Sequence, residues 1–537
     1  VYVLPRLNLA QLERLAGEAA FVIRKGDLLA LHGDLGAGKT TFARAFIRAL
    51  TGAAAEEIPS PTFTLVQTYG APRAPVWHFD LYRLGSEAEL DELGLDDALS
   101  KGVALVEWPE RAGRALPADR LDIRFEDRGE TGENASGEEG LRDVALTGLG
   151  AWAARLDRLM GLRALIHGTR PWDEDGCVLN YIQGDASVRR YGRLTHPQGS
   201  RAILMDWPRQ PDGPPIRDGK PYSRIANLAE DARPYVAVAD ALRAAGLKTP
   251  RVHAQDLERG FLILDDFGDE TFGAVLAAAP RPGEARAELW RAAADVLLTL
   301  RRAPVPSSLP VPGGGTYALP RYGRDALGVE IELLLDWYWP AVHGAPAPAA
   351  ARAEFLDLWR PVFDRLLAMP QGWVLRDFHS PNLMWLADGA GADRVGVLDF
   401  QDALLGCPAY DLVSLSQDAR VDAPAELEAE LLAYYCAGAA RQDPSFDRES
   451  FAFSHAALGA QRNTKILGIF ARLARRDGKP QYLAHIPRIW RYLERDLAEP
   501  GLSGLKSWYD RRLPPDIRAR PPARAGTKLE QGAFPVP

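Results

Sequence analysis

Residues 27–50, DLLALHGDLGAGKTTFARAFIRAL, decide the fold of the first part of the chain. DLLALH at 27–32 is an apolar run of strand length, GDLGAGKT at 33–40 is glycine-rich, and TFARAFIRAL carries helical spacing to Leu50. Residues 33–40 match G-x-x-x-x-G-K-[ST] without a mismatch, in the strand–loop–helix setting that the P-loop requires. Gly33, Gly36, Ala37 and Gly38 let successive backbone N–H groups curl around phosphates, and the N-terminus of the following helix adds partial positive charge. Lys39 is placed for the β/γ-phosphates and Thr40 for Mg²⁺, with Thr41 next to it in the same nucleotide-binding run. Lysine occurs only nine times in the chain, so a match by chance is improbable.

The pattern continues on either side. Residues 8–24 form an amphipathic helix with Leu12, Leu15, Ala16 and Ala19 on one stripe. VWHF at 76–79 and VALVEW at 103–108 are buried-strand runs, and they predict an α/β sheet. Asp80 and Glu107 stand at the ends of these strands, where a P-loop needs an acid near its metal. EDRGETGENASGEEG at 126–140 reads as a flexible loop, and DVALTGLGAWAARLDRL supplies a closing strand and helix near residue 160.

At 537 residues the chain has room for roughly three to five domains. Its 47% apolar and 25% charged residues exclude wholesale disorder, collagen and coiled coil, and a net charge of −8 argues against non-specific nucleic-acid binding. Cys177, Cys407 and Cys436 are far apart and form no CxxC pair, which leaves no disulfide framework or zinc site. No apolar run reaches the ~18 residues of a spanning helix, and no leader pattern opens the chain. The expected compartment is the cytoplasm, with no membrane partner.

GDLGAGKTTFARAFIRAL, SPTFTLVQTY at 60–69, HFDLYRL at 78–84 and ALVEWPER at 104–111 together resemble, in order and spacing, the TsaE family. This is the small ATPase of the tRNA threonylcarbamoyladenosine pathway, and the resemblance spans about residues 5–160. It implies that Ser60-Pro61-Thr62 forms a switch-like loop over ATP, that Asp80 and Thr40 hold Mg²⁺, and that Glu107 orients the attacking water. It also implies TsaB- and TsaD-type partner proteins, which transfer threonylcarbamoyl to adenosine 37 of tRNA. The tRNA would be met only through that complex.

A second constellation lies at 373–400, WVLRDFHSPNLMWLADGAGADRVGVLDF. LMWL at 383–386 and VGVL at 395–398 flank a Gly/Ala/Asp turn, and a hairpin of this kind makes Asn382 and Asp399 neighbours. Asp377 precedes Asn382 by five residues. Asp-x₄-Asn followed by a strand-end Asp suits phosphoryl transfer from Mg-ATP: Asp377 accepts the acceptor hydroxyl's proton, while Asn382 and Asp399 hold metal. Upstream, GDASVRRYGRL at 184–194 reads as a phosphate-facing turn and strand, and FLILDDFGDE at 261–270 as a strand entering a hinge.

This region resembles the aminoglycoside phosphotransferase/choline kinase superfamily. GDASVRRY, ILMDWP, RDFHSPNLMWL, DFQDALLGCPAYDLVSL and QRNTKILGIFARLARRDGKPQYL narrow the resemblance to the AmgK anomeric amino-sugar kinases of cell-wall recycling, over about residues 165–512. These enzymes phosphorylate N-acetylmuramate and N-acetylglucosamine. Two positions depart from the superfamily. Leu375 stands where a histidine is usual, and ILMDWP has Leu204-Met205 where the phosphate-clamping lysine is expected. Arg189 and Arg190 are the candidates to replace that lysine, with Asp266 at the hinge also assigned to ATP. Arg462 and Lys465 lie near one helix face and suit an anionic acceptor, with Asp402 as a further substrate ligand. Glu330 and Trp337-Tyr338 are candidates for sugar hydrogen bonding and stacking, although core packing suits the aromatics. A kinase for another hydroxyl, such as an aminoglycoside or amino alcohol, and a regulatory nucleotide-binding protein with a degenerate kinase domain stay open as alternatives.

The expected organisation is an α/β P-loop domain at 1–160 and a linker at 161–175. A kinase-like β-rich lobe follows at 176–268, a helical α+β lobe at 269–512, and a disordered tail at 513–537.

Overall fold

The computed structural model describes residues 1–52, 57–85, 88–127, 141–182, 189–278, 284–520 and 522. Most of the polar run at 126–140, the turn at 183–188 and the end of the tail lie outside the described residues. The chain forms two compact units, Val1–Arg209 with Val252–Asp266, and Gln210–Arg251 with the residues from Phe267 onward.

The first unit begins with β1 (Tyr2–Leu7), α1 (Leu9–Val22), β2 (Leu28–His32) and α2 (Lys39–Thr51). It continues through β3 (Val66–Tyr69), β4 (Val76–Asp80), α3 (Ala88–Glu92), α4 (Leu95–Lys101) and β5 (Val103–Glu107). β6 (Arg120–Asp127), β7 (Arg142–Leu149) and α5 (Trp152–His167) complete the P-loop part. A capping box starts α1, with the Gln11 backbone N–H donating to Asn8 Oδ1 at 2.9 Å and Asn8 N–H donating to Gln11 Oε1 at 3.2 Å. The sheet runs β1-β7-β6-β2-β5-β4-β3, with β2 parallel to both β5 and β6. Strand alternation divides its core. Leu29 and Leu31 enter one cluster with α1, α2 and α5, while Leu28 and Ala30 enter another with Phe79, Leu95, Ala104 and Val106. Both faces are covered, which is why these strands are continuously apolar.

The same unit holds a five-stranded antiparallel sheet of β8 (Val178–Ile182), β9 (Arg190–Thr195), β10 (Arg201–Asp206) and the strands Phe261–Asp265 and Val252–Asp256. One face carries Leu194, Ala202, Leu204, Phe261 and Ile263, and these share a single core with Leu156, Leu159, Leu162 and Ile166 of α5. A boundary near residue 160 is therefore bridged: α5 runs on to His167, and Trp172 is buried in the same core. The physical reason is that an antiparallel sheet with an apolar face needs cover, and α1 and α5 supply it. Each large side chain buried there contributes about 1.5–3 kcal/mol relative to exposure.

The second unit is mostly helical: Arg324–Leu333, Ala349–Ala368, Ala409–Ser416, Ala425–Gln442 and Ile486–Asp496 pack on the long helix Arg448–Arg475, and Arg233–Ala244 packs on the short strands Ser308–Pro310 and Thr316–Ala318. At Gly468 a Cβ would lie 2.3 Å from the carbonyl carbon of Leu333, so glycine is required where the long helix crosses that neighbour. Short strands Leu383–Trp385 and Val395–Val397 form the expected hairpin. The tail is ordered further than its composition suggests. Leu513 and Ile517 are buried around a short helix, Pro515–Arg518.

Candidate functional site

The P-loop lies between β2 and α2. Gly33, Gly36 and Gly38 have φ of 142°, 83° and 109°, and at Gly33 a Cβ would sit 2.6 Å from the Phe125 carbonyl. Gly38 caps α2 without a side-chain hydrogen bond, which leaves the first-turn N–H groups for an anion. Lys39 donates to the carbonyls of Gly33 at 2.6 Å and Asp34 at 2.8 Å, and its Nζ lies 3.8 Å from the centre of the Trp108 ring. Burial pushes its pKa down, partly offset by Glu107, Glu110 and Asp80.

β4 and β5 are in register so that Asp80 pairs with Glu107. Glu107 accepts from Thr40 Oγ1 at 3.0 Å and from His78 Nε2 at 2.8 Å. His78 is wholly buried and its Nδ1 has no partner among the described residues, so Nε2 carries the proton and holds Glu107 in place. Asp80 Oδ2 accepts from Thr62 Oγ1 at 2.6 Å and Ser60 Oγ at 3.1 Å, which closes the 60–62 loop over this acid. Ala37 lies within the loop and Thr41 follows Thr40 in the first turn of α2. The hydroxyl and carboxylate oxygens of Thr40, Asp80 and Glu107 are a donor set that fits Mg²⁺. His78 is a residue that motif reading left without a role, although HFDLYRL displays it beside Asp80.

In the second unit Asn382 Nδ2 donates to the Asp377 carbonyl at 3.0 Å and lies 3.5 Å from Asp399 Oδ2. Gln401 Nε2 donates to Asp399 Oδ1 at 3.1 Å. Arg376 and Asp399 have φ of 74° and 58°, a left-handed backbone that costs non-glycine residues energy and gathers at functional sites. Leu65 and Trp108, with φ of 64° and 58°, repeat this beside the P-loop. The backbone N–H groups of Leu375 and Arg376 donate to Asp411 at 2.6 and 2.9 Å, which fixes the loop that carries Asp377. Burial raises the Asp411 carboxyl to about 7. For Asp377 burial acts upward, but His379, Lys465, Arg376 and Arg462 outweigh it and hold the carboxyl below its usual value. Asp402 accepts from Ala229 N–H at 2.6 Å, and burial raises its pKa against the pull of Arg376.

The basic pair is divided. Lys465 donates to Glu330 Oε1 at 3.2 Å and to Tyr410 OH at 2.9 Å, and Glu330 also takes Arg376, Tyr322 and Gln461. Glu330 is wholly buried, and its charge is what the two buried cations require. Arg462 donates only to the Gln417 carbonyl at 3.3 Å and forms no carboxylate ion pair among the described residues. Tyr338 is buried and its OH accepts from Trp490 Nε1 at 2.9 Å, as core packing requires.

Strand alternation also separates the candidate arginines of the small sheet. Arg190 donates to the Val22 carbonyl at 3.5 Å and lies 3.9 Å from Asp206, on the face packed against α1. Arg189 and Arg193 fall on the opposite face. Arg189 lies 5.1 Å from the Trp207 ring centre, and Arg193 pairs with Asp266 at 2.7 Å. Arg201 lies 3.6 Å from the same Asp266 oxygen.

A glycine cradle with its lysine and strand-end acids defines a P-loop ATPase. An Asp-x₄-Asn loop with a facing aspartate, on a hairpin within a mostly helical unit, is the arrangement of a kinase-like phosphotransferase. The chain combines both classes. The family model described as "Threonylcarbamoyl adenosine biosynthesis protein TsaE" matches residues 7–135, and that described as "Phosphotransferase enzyme family" matches residues 178–452. The chain is 40% identical over 348 residues to an N-acetylmuramate/N-acetylglucosamine kinase of Caulobacter vibrioides, covering 63% of this chain and 92% of that protein. It is 37% identical to the kinase of the same name from Pseudomonas aeruginosa, covering 58% of this chain and 82% of that one. Its N-terminal part is 42% identical over 106 residues to TsaE of Rickettsia bellii, covering 20% of this chain and 73% of that protein. The chain belongs to the phosphotransferase enzyme family and carries a TsaE-family domain ahead of the kinase-like part. No helix among the described residues is long and apolar enough to cross a membrane.

Proposed function

We propose that the chain is bifunctional. Its P-loop domain hydrolyses ATP in support of threonylcarbamoylation of tRNA adenosine 37, and its kinase part phosphorylates N-acetylmuramate and N-acetylglucosamine at the anomeric hydroxyl, in cell-wall recycling. The observation that carries the kinase reading is the Asp377–Asn382–Asp399 cluster, in a chain that aligns with 92% of a kinase named for these sugars. Asp377, kept ionised by surrounding cations, takes the proton of the attacking hydroxyl and aligns it. Asn382 and Asp399 would hold Mg²⁺, which when bound neutralises charge on the transferring phosphoryl group. Arg462, buried and without a carboxylate partner among the described residues, is the group suited to the lactyl carboxylate of N-acetylmuramate. Lys465 stiffens the pocket rather than reading the substrate, because Glu330 already neutralises it.

On the P-loop domain Lys39 would exchange its two carbonyls for the nucleotide phosphates, with Thr40 and Asp80 on Mg²⁺ and Glu107 orienting water. Leu35 and Phe63 are 84% and 81% exposed beside this site, and Tyr82 is also exposed. Large apolar side chains left open at one place fit a protein partner of the TsaB/TsaD type. The test is a screen of hydroxyl acceptors with γ-labelled ATP. Label should appear on both N-acetyl sugars. Label found only on aminoglycosides or amino alcohols, or on none, would contradict the assignment.

A further inference from the structure

We propose that the cavity behind the catalytic loop of the second unit is a binding site for a small neutral alcohol or phenol, whose hydroxyl meets Asp411 and Tyr435. The binding stands on the cavity alone, and its effect on sugar phosphorylation rests on the kinase reading above.

The cavity has a volume of about 220 Å³ and is walled by Leu297, Leu300, Trp373 and Pro408, with Asp411 and Tyr435 at its inner end. Those two are its most buried members, at 1% and 0% exposed, whereas Ala303, Val305 and Pro370 form a rim that reaches solvent. Apolar walls with a few polar groups are the make-up of a small-molecule pocket, and a dry cavity of about 150 Å³ already admits benzene.

The Tyr435 ring is stacked on Phe451 with centroids 5.0 Å apart, and its hydroxyl is buried without a hydrogen-bond partner among the described residues. A buried hydroxyl in that state costs free energy that an incoming polar group recovers. Asp411 has the opposite need. Its carboxylate oxygens each accept one backbone N–H, from Leu375 and Arg376, and each keeps a lone pair. Burial raises the pKa of the Tyr435 hydroxyl, with Arg301 opposing and Cys407 and Asp411 adding to it, so Tyr435 and Asp411 lie within each other's field. A single hydroxyl both donates and accepts, and can serve the two together.

Charge selects against ions. Arg301, the cation of the wall, is already paired with Asp443 at 3.1 Å, so an anion would face Asp411 without a free counter-charge. Burial holds the Asp411 carboxyl at about 7, and an ammonium group would give up its hydration for a carboxyl that is only partly ionised. A neutral molecule avoids both costs. Its position gives the site a consequence. Gly372 and Trp373 of the wall begin the strand Gly372–Val374, which leads into Leu375, Arg376 and Asp377. A third donor on Asp411 favours its ionised form, and charge-assisted hydrogen bonds to the Leu375 and Arg376 amides are stronger than neutral ones. Occupancy therefore tightens the turn that carries the proposed base.

The experiment titrates phenol, benzene and benzylammonium into the full chain, followed by ligand-observed NMR, in the wild type, Ala303→Phe and Tyr435→Phe. Ala303 is half-buried at the rim, so a phenylalanine there should block the cavity with little effect on the fold. Phenol should bind the wild type saturably at a single site, and Ala303→Phe should abolish that binding. Tyr435→Phe should weaken it about three- to ten-fold, the share of one hydrogen bond. It should do so without lowering the melting temperature, because the hydroxyl it removes has no partner among the described residues. Phenol should also slow amide exchange at Leu375 and Arg376, and change sugar-phosphorylation turnover, in the wild type but not in Ala303→Phe. Absence of saturable binding would mean that the cavity takes water only and would overturn the assignment. So would equal phenol binding in Ala303→Phe, tighter binding of benzene or benzylammonium than of phenol, or unchanged exchange at those amides. A chain that binds phenol as described but forms no sugar phosphate would count against the kinase reading and not against the site.

Discussion

Asp377 and Asp399 are both acids of one loop cluster, and their surroundings divide their work. Asp377 lies among cations that keep it ionised, whereas Asp399 faces Asn382 and Gln401 in a strained left-handed backbone. Asp377→Asn should lower sugar-kinase turnover by about 10²–10⁴-fold, the usual cost of a lost general base, with ATP affinity retained. Asp399→Asn should reduce both, because Asp399 is the proposed holder of Mg²⁺. Calorimetry of nucleotide binding alongside initial rates distinguishes the two, and equal loss of affinity would mean the roles are exchanged. Arg462→Ala should weaken use of N-acetylmuramate more than N-acetylglucosamine, which lacks the lactyl carboxylate. A hydrogen bond to a charged group contributes about 1.5–3 kcal/mol, or roughly ten- to a hundred-fold in kcat/KM. Equal losses for the two sugars would assign Arg462 to a group they share.

Among the elements, the helix Arg448–Arg475 is joined to the helix Arg324–Leu333 by the pairing of Lys465 with Glu330, which also binds Arg376 beside the catalytic loop. Burial acts upward on Glu330, but Lys465 and Arg376 bring its pKa down to about 2. A depressed carboxylate stabilises the fold above its ordinary value near 4.5 and loses that contribution as pH falls toward 2. Glu330→Gln should therefore cost about 3–5 kcal/mol at neutral pH, because two buried cations lose their counter-charge. It should also flatten the acid limb of the stability profile, and thermal melts at several pH values would show both effects. A melt unchanged at neutral pH would mean that solvent reaches the cluster.

The P-loop and the hairpin were legible in the sequence because each is local: a loop between its own strand and helix, and two strands joined by a turn. The Glu330–Lys465 pair spans 135 residues, and no local pattern reveals it. The face of the sheet that Arg190 occupies was hidden for a different reason. Neighbouring residues on a strand point to opposite faces, and only the packing of α1 shows which face is occupied. His78 and Asp411 stood inside quoted motifs, but a motif does not show which buried group holds another in place.

In the function proposed above, one chain carries two separable ATP-dependent activities. Lys39→Ala removes the principal cation from the β/γ-phosphates of the P-loop alone, so ATP hydrolysis by that domain and its support of tRNA modification should be lost. Asp377→Asn acts only on the kinase and should leave P-loop hydrolysis unchanged. The most direct measurement is therefore reciprocal: sugar phosphate formation from N-acetylmuramate at saturating ATP, and sugar-independent ATP hydrolysis, both assayed in the full-length wild type, Lys39→Ala and Asp377→Asn. Sugar phosphate should form with the wild type and Lys39→Ala but not with Asp377→Asn, and hydrolysis should persist in the wild type and Asp377→Asn but not in Lys39→Ala. Loss of both activities in either variant, or sugar phosphate formed undiminished by Asp377→Asn, would contradict it.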